Sequence, residues 1–163
     1  MCCGRIQAFG IWCAAWAYPP NPSMIATVTL NPAIDKSVTA RGFEVGKTNR
    51  GQVTRVDAGG KGINVAKVLR RLGSPVCALG LVAGSNGHFI LDALSTEGIA
   101  ADFVQVPGET RVNLKIHDPD KGTETELNEP GFDVTAEHLH ELRLRVEAHA
   151  PTRRLWSSDT ERY

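Results

Sequence analysis

From residue 24 onward, short apolar runs rich in β-branched residues alternate with stretches of helical periodicity, and this alternation leaves the chain few architectures to choose from. Residues 24–30 (MIATVTL) read as a buried strand ended by the Asn31-Pro32 turn. In residues 63–72, Val65, Val68, Leu69 and Leu72 fall at i, i+3, i+4 and i+7, which predicts a helix stopped by Gly73. Residues 75–82 form a second apolar run of strand length. Residues 89–97 form a second helical stretch, in which Phe89, Ile90, Ala93 and Leu94 share a face before Gly98. Residues 102–106 supply a third strand. The middle of the chain therefore reads βαβαβ and predicts an α/β fold, a parallel sheet with helices packed on it.

Around that unit lie more polar strands. Residues 36–57 set Val38, Val45, Val53 and Val56 among charges, which suits strands with one wet face. Residues 111–117 and 123–127 flank Asp118-Pro119-Asp120-Lys121-Gly122, a turn cluster that predicts a hairpin. Residues 135–148 predict a last helix with Leu139, Leu142 and Val146 on one face and Glu137 in its first turn. Beyond Ala150 the segment PTRRLWSSDTERY has no periodicity, and no strand is expected where the βα rhythm demands one.

The ends differ from the body, so the chain divides into residues 1–23, 24–150 and 151–163, with one folded domain in the middle. Residues 1–23 hold Cys2, Cys3 and Cys13 and the Pro19-Pro20 pair. A secretory signal is one reading of them, with Arg5 ahead of the apolar stretch 8–17. A start codon set too far upstream is the other, and it is favoured because Met24 opens a clean strand. Likewise, residues 151–163 read as an aberrant tail. Lys plus Arg and Asp plus Glu are equal at 18 each, so no net field favours nucleic acid or an anionic membrane. No apolar run approaches the ~20 residues of a spanning helix, and the cytoplasm is the expected location. The cysteines and the five histidines show no metal-ligand spacing.

The strongest chemical signal is the glycine-rich turn Ala58-Gly59-Gly60-Lys61-Gly62 opening a helix. Glycines there let a ligand approach the backbone, and the free N–H groups of a first helical turn attract phosphate or hydroxyl oxygens. Asn64 lies in that turn and could bond hydroxyls; a plain strand-to-helix turn is the bland alternative. The stretch does not fit a dinucleotide fingerprint. Gly42-Phe43-Glu44-Val45-Gly46-Lys47-Thr48 mimics a P-loop but lacks one residue between its glycines and has no helical pattern after it. Asp35 follows the first strand, where ligands collect in open α/β sheets, although a local turn cap would use the same residue. Lys47, Lys61 and Arg111 are candidate phosphate cations, each of which could equally be a solvated charge.

Four motifs in order, TVTLNPAID (27–35), GGKGINVA (59–66) with Gly73, GETRVN (108–113) and TELNEPG (125–131), resemble the PfkB (ribokinase-like) carbohydrate kinases, in particular their 1-phosphofructokinase branch. The resemblance covers about residues 24–150; Ala83 stands where the family's first signature usually has glycine. It implies the N-terminal part of a ribokinase-like doubly wound parallel sheet with a small β lid. It also implies a substrate site of Asp35, Lys47, Gly59, Gly60, Lys61, Asn64, Arg111 and Asn113, with Asp35, Gly60 and Asn64 on sugar hydroxyls and Arg111, Lys47 and Lys61 towards the sugar's phosphate. The hairpin strands would close as a lid and offer a homodimer contact.

The activity implied is transfer of phosphate from ATP, with Mg2+, to fructose 1-phosphate, giving fructose 1,6-bisphosphate; tagatose 6-phosphate and fructose 6-phosphate are alternative substrates. The family's later Gly-Ala-Gly-Asp and Asn-x-x-Glu strings do not occur in these 163 residues. The expectation is therefore a truncated or frame-disrupted chain, inactive alone and without its own ATP or metal site. Its rival is a non-catalytic sugar-phosphate-binding or dimerising module.

Overall fold

A computed structural model describes residues 24–149 and the backbone of residues 154–157. The reading of residues 1–23 and most of that of 151–163 lie outside the described residues. The strands are β1 (Ile25–Thr29), β2 (Ala33–Thr39), β3 (Gln52–Gly59), β4 (Val76–Ala83), β5 (Ala100–Val106), β6 (Arg111–Asp118), β7 (Thr123–Asn128) and β8 (Arg154–Ser157). The helices are α1 (Lys61–Arg71), α2 (Gly84–Thr96) and α3 (Ala136–His149).

The sequence predicts the first sheet well. It has the order β5-β4-β1-β8, and each of its pairings is parallel. Strand β4 is buried along its whole length, and its two faces divide the core between them. Val76, Ala78 and Val82 pack with Ile63 and Ala66 of α1 and Ile90 and Leu94 of α2. Cys77, Leu79, Leu81 and Ala83 pack with Ala26, Val104, Val106 and Leu142 of α3. Helices therefore cover both faces, as the period-2 alternation of a doubly covered strand requires. Helix α3 is also tied to β5 by polar contacts: Arg145 Nη1 donates to Asp102 Oδ1 at 2.8 Å, and His149 Nε2 lies 2.8 Å from Asp102 Oδ2. Burial works to raise the Asp102 pKa, but the hydrogen bonds and charges of His149 and Arg145 outweigh it and hold the carboxyl below its ordinary value.

Two boundaries depart from the sequence reading. Strand β8 forms where none is expected beyond residue 150, running parallel to β1 with Leu155 opposite Ala26. The edge of β1 away from β4 offers a row of backbone N–H and C=O groups, and pairing of that row overrides weak local patterning. Helix α2 starts at Gly84, five residues before the apolar face begins. Its polar first turn Gly84-Ser85-Asn86-Gly87 hides the helix from periodicity. The Glu109 carboxylate secures it by accepting from the backbone N–H of Asn86 at 2.6 Å and of Ser85 at 3.3 Å.

The lid is wider than a hairpin. Its order is β3-β2-β6-β7, with β2 antiparallel to β3, β6 antiparallel to β7, and β2 parallel to β6. One face near the core end carries Ile34, Ala58 and Val112 into the cluster under α1 and α2. The opposite face is polar. No helix among the described residues is long and apolar enough to cross a membrane.

Candidate functional site

Register builds the polar face of the lid into transverse rows. Asp35 on β2 lies opposite Asp57 of β3 and Asn113 of β6, and Asn113 lies opposite Asn128 of β7. One step further out, Ser37 lies between Arg55 and Lys115, and Lys115 lies opposite Glu126. Both rows line a cleft of about 590 Å3, which α1 closes on the other side with Asn64, Lys67, Val68 and Arg71.

At the centre, Asn113 Nδ2 donates to Asp35 Oδ1 at 2.9 Å. Asn113 Oδ1 is buried and accepts no hydrogen bond among the described residues. Asp35 has room because residue 59 is glycine: a Cβ there would fall on the Asp35 carboxylate. Gly60 follows at φ 123°, a left-handed region that disfavours side chains, and its carbonyl accepts from the Asn64 N–H at 2.8 Å. Gly62 lets α1 lie against β1, since a Cβ there would meet Thr29 Oγ1 and the Val28 carbonyl. No side chain caps the start of α1. The result is a carboxylate, two amides and a helix N-terminus around one cleft, a donor and acceptor set that matches the hydroxyls of a sugar.

The structure therefore brings Asp35, Asn64 and Asn113 to one cleft, beside the Gly59-Gly60 turn. The sequence-predicted cations lie elsewhere. Lys47 sits on the loop between β2 and β3, paired with Glu44 at 2.5 Å, and does not line the cleft. Lys61 is the first residue of α1 and Arg111 the first of β6; neither is among the lining residues. Arg111 borders Ala33 at the core end of the lid, and its Nε is buried without a hydrogen bond among the described residues.

Sequence reasoning missed Arg55, Lys67, Lys115 and Asn128. Lys67 Nζ donates to the Ala58 carbonyl at 2.8 Å and lies 3.2 Å from Glu97, which braces the strand leading into the glycine turn. Lys115 is 2.9 Å from Glu126 and 3.6 Å from Glu124, and these carboxylates, Glu126 foremost, raise its pKa. Polar residues at alternate positions of the half-wet strands were the available signal for the lid residues.

Among the described residues no group of three or more His, Cys, Asp or Glu side chains could hold a metal ion.

Comparison with known proteins identifies the family of the chain. The model of the pfkB family carbohydrate kinases matches residues 28–150. A 1-phosphofructokinase of Rhodobacter capsulatus is 42% identical over 125 residues, a match covering 72% of this chain and 40% of that protein. A Bacillus subtilis 1-phosphofructokinase is 41% identical over 114 residues, covering 70% of this chain and 37% of that protein. Among solved structures, Escherichia coli phosphofructokinase-2 in complex with fructose-6-phosphate superposes with a TM-score of 0.77 at 25% identity, covering 83% of this chain and 45% of that one. The chain thus spans about two fifths of the length of the curated relatives it matches. By these motifs, this fold and this match, the chain belongs to the pfkB family of carbohydrate kinases.

Proposed function

We propose that this chain supplies the sugar-phosphate-binding share of an ATP-dependent kinase acting on fructose 1-phosphate. The observation that carries the reading is the hydrogen-bonded Asp35–Asn113 pair, set beside the Gly59-Gly60 turn in a cleft shared with Asn64. A carboxylate oriented by an amide accepts from hydroxyls, while Asn64 can donate and accept. Arg111, with a buried Nε left to bond, stands at the core end of the same lid face and is assigned to the sugar's phosphate. Lys61 at the start of α1 adds charge near the turn. Lys47, on its loop, reaches a sugar only by rearrangement or from another copy.

The names of the relatives favour the 1-phosphate, whereas the ligand of the Escherichia coli neighbour favours fructose 6-phosphate as second choice. Isothermal titration without ATP separates the two. The expected result is binding of fructose 1-phosphate, weaker binding of fructose 6-phosphate and tagatose 6-phosphate, and loss of binding in Asp35→Ala. A chain that ignores all three sugars refutes the reading. Release of ADP by this chain, given ATP and fructose 1-phosphate, would show that its share extends beyond binding to transfer. Dimerisation through the lid is the further role proposed: in the row that Lys36 shares with Val56, Leu114 and Leu127, Val56 and Leu127 are 42% and 65% exposed.

A further inference from the structure

We infer that Lys67 is a positioning residue for the sugar cleft, a clasp across the Gly59-Gly60 turn that sets where Gly59 meets the Asp35 carboxylate. The inference rests on the sugar-phosphate reading above and deepens it.

The turn joins β3 to α1 and does little to fix its own shape: Gly60 sits at φ 123°, and no side chain caps the start of α1. The angle between strand and helix is therefore set from outside the turn. Lys67 stands in the second turn of α1 and reaches back, its Nζ donating to the Ala58 carbonyl at 2.8 Å. One side chain thus ties the residue before the glycines to the helix after them. The same Nζ lies 3.2 Å from Oε1 of Glu97, the residue that ends α2, so the clasp is anchored to a second helix.

The Lys67 side chain is only 12% exposed. Lysine is rarely that buried, because its ammonium must give up water, and an apolar side chain would pack α1 at lower cost. What the lysine adds is a directed bond to a single carbonyl. Ala58 is buried and lies opposite Ile34, on the strand that carries Asp35. The next residue, Gly59, packs so closely on Asp35 that no Cβ fits between them. A shift of Ala58 is therefore passed to the Asp35 carboxylate and through it to Asn113. Lys67 lines the cleft, yet its Nζ faces the Ala58 carbonyl and Glu97; Arg71 meets the same carboxylate more weakly, at 3.8 Å. Its effect on a sugar is thus exerted through the turn, as the bracing of a preorganised site requires.

The test compares the wild-type chain with Lys67→Met, Lys67→Arg and Glu97→Ala by amide NMR without sugar, titration calorimetry with fructose 1-phosphate, and thermal melting. Lys67→Met should shift the Gly59 and Gly60 amide resonances and weaken fructose 1-phosphate about tenfold, as the loss of one charge-assisted contact at Asp35 implies. Lys67→Arg still offers donors to both oxygens and should restore the resonances and the affinity. Glu97→Ala should give a smaller change in the same direction. The inference is overturned if Lys67→Met leaves the resonances in place, if it moves them without loss of affinity, or if arginine fails to rescue it. It is equally overturned if Glu97→Ala tightens binding, since a lysine freed to do that would be a ligand of the sugar's phosphate. Should Lys67→Met fail to fold, the direction of the Glu97→Ala effect decides. Failure of fructose 1-phosphate to bind the wild type would sink the functional reading alone, because the resonances of the sugar-free chain still test the clasp.

Discussion

Gly59→Ala isolates the site from the fold. The added methyl would occupy the space of the Asp35 carboxylate, with Oδ2, Cγ and Oδ1 all in its way. Gly59 does not need a left-handed backbone, so alanine is tolerated at the main chain. The obstacle is the end of a rotatable side chain, and the carboxylate can swing aside at a rotamer cost of about 0.5–1.5 kcal/mol. In doing so it leaves Asn113, whose Nδ2–H···Oδ1 bond of 2.9 Å is lost. Hydrogen bonds to charged groups are worth about 1.5–3 kcal/mol, and the partial exposure of Asp35 places this one at the lower end. The fold should lose about 2–3 kcal/mol, or about 4–12 °C of melting temperature at roughly 2–4 °C per kcal/mol. Affinity for fructose 1-phosphate should fall at least about tenfold, since the hydroxyl acceptor is misplaced. Titration calorimetry and a melting curve on the same sample measure both. Unchanged affinity in a chain that melts normally would refute the assignment of Asp35 as a sugar ligand.

Three further outcomes test other parts of the structure. Leu142→Ala removes the buried residue by which α3 enters the core; it should cost about 2–5 kcal/mol, and a melting temperature within 2 °C of wild type would contradict that packing. Asp102 titrates below its ordinary value of 3.8 when folded, so its stabilisation is present above that value and is lost as pH falls through the folded pKa. Melting temperature should therefore be lower in Asp102→Asn than in wild type at neutral pH, and the two should converge as pH falls below the ordinary carboxyl value of 3.8; parallel curves would remove the role given to the Arg145 and His149 contacts. Leu127→Glu places a charge on the apolar lid face and should shift the chain from dimer to monomer in sedimentation, while equal masses for the two proteins would rule that face out as the interface.

Local pattern sufficed wherever neighbours in the chain are neighbours in the fold. Strands β1, β4 and β5, helix α1 and the apolar part of α2 were legible from their apolar periods, with Gly73 and Gly98 at the helix ends. The glycine turn was legible for the same reason: the glycines that shape it and the helix it opens are contiguous. The cleft was only half legible, because its rows depend on the parallel pairing of β2 with β6, in which Asp35 meets Asn113 and Ser37 meets Lys115 across more than seventy intervening residues. Nothing local sets that register; a slip of one residue would have turned Lys115 and Asn113 to the other face.

The position of Lys47 away from this cleft has the same origin. Its loop is fastened to the far end of the lid, where Asp118 Oδ1 accepts from the Gly42 N–H at 2.9 Å and Lys121 Nζ donates to the Phe43 carbonyl at 2.7 Å. These long-range contacts hold the loop at the outer tip, where Lys47 has Glu44 for a partner. Nearness to a motif in sequence therefore does not bring a cation to the cleft; strand register does, and it sets Lys115 opposite Ser37, one step out from the Asp35–Asn113 row. Which side chains the cleft brings together is thus decided by which residues of β2, β3, β6 and β7 share a row, a long-range property that no single motif encodes.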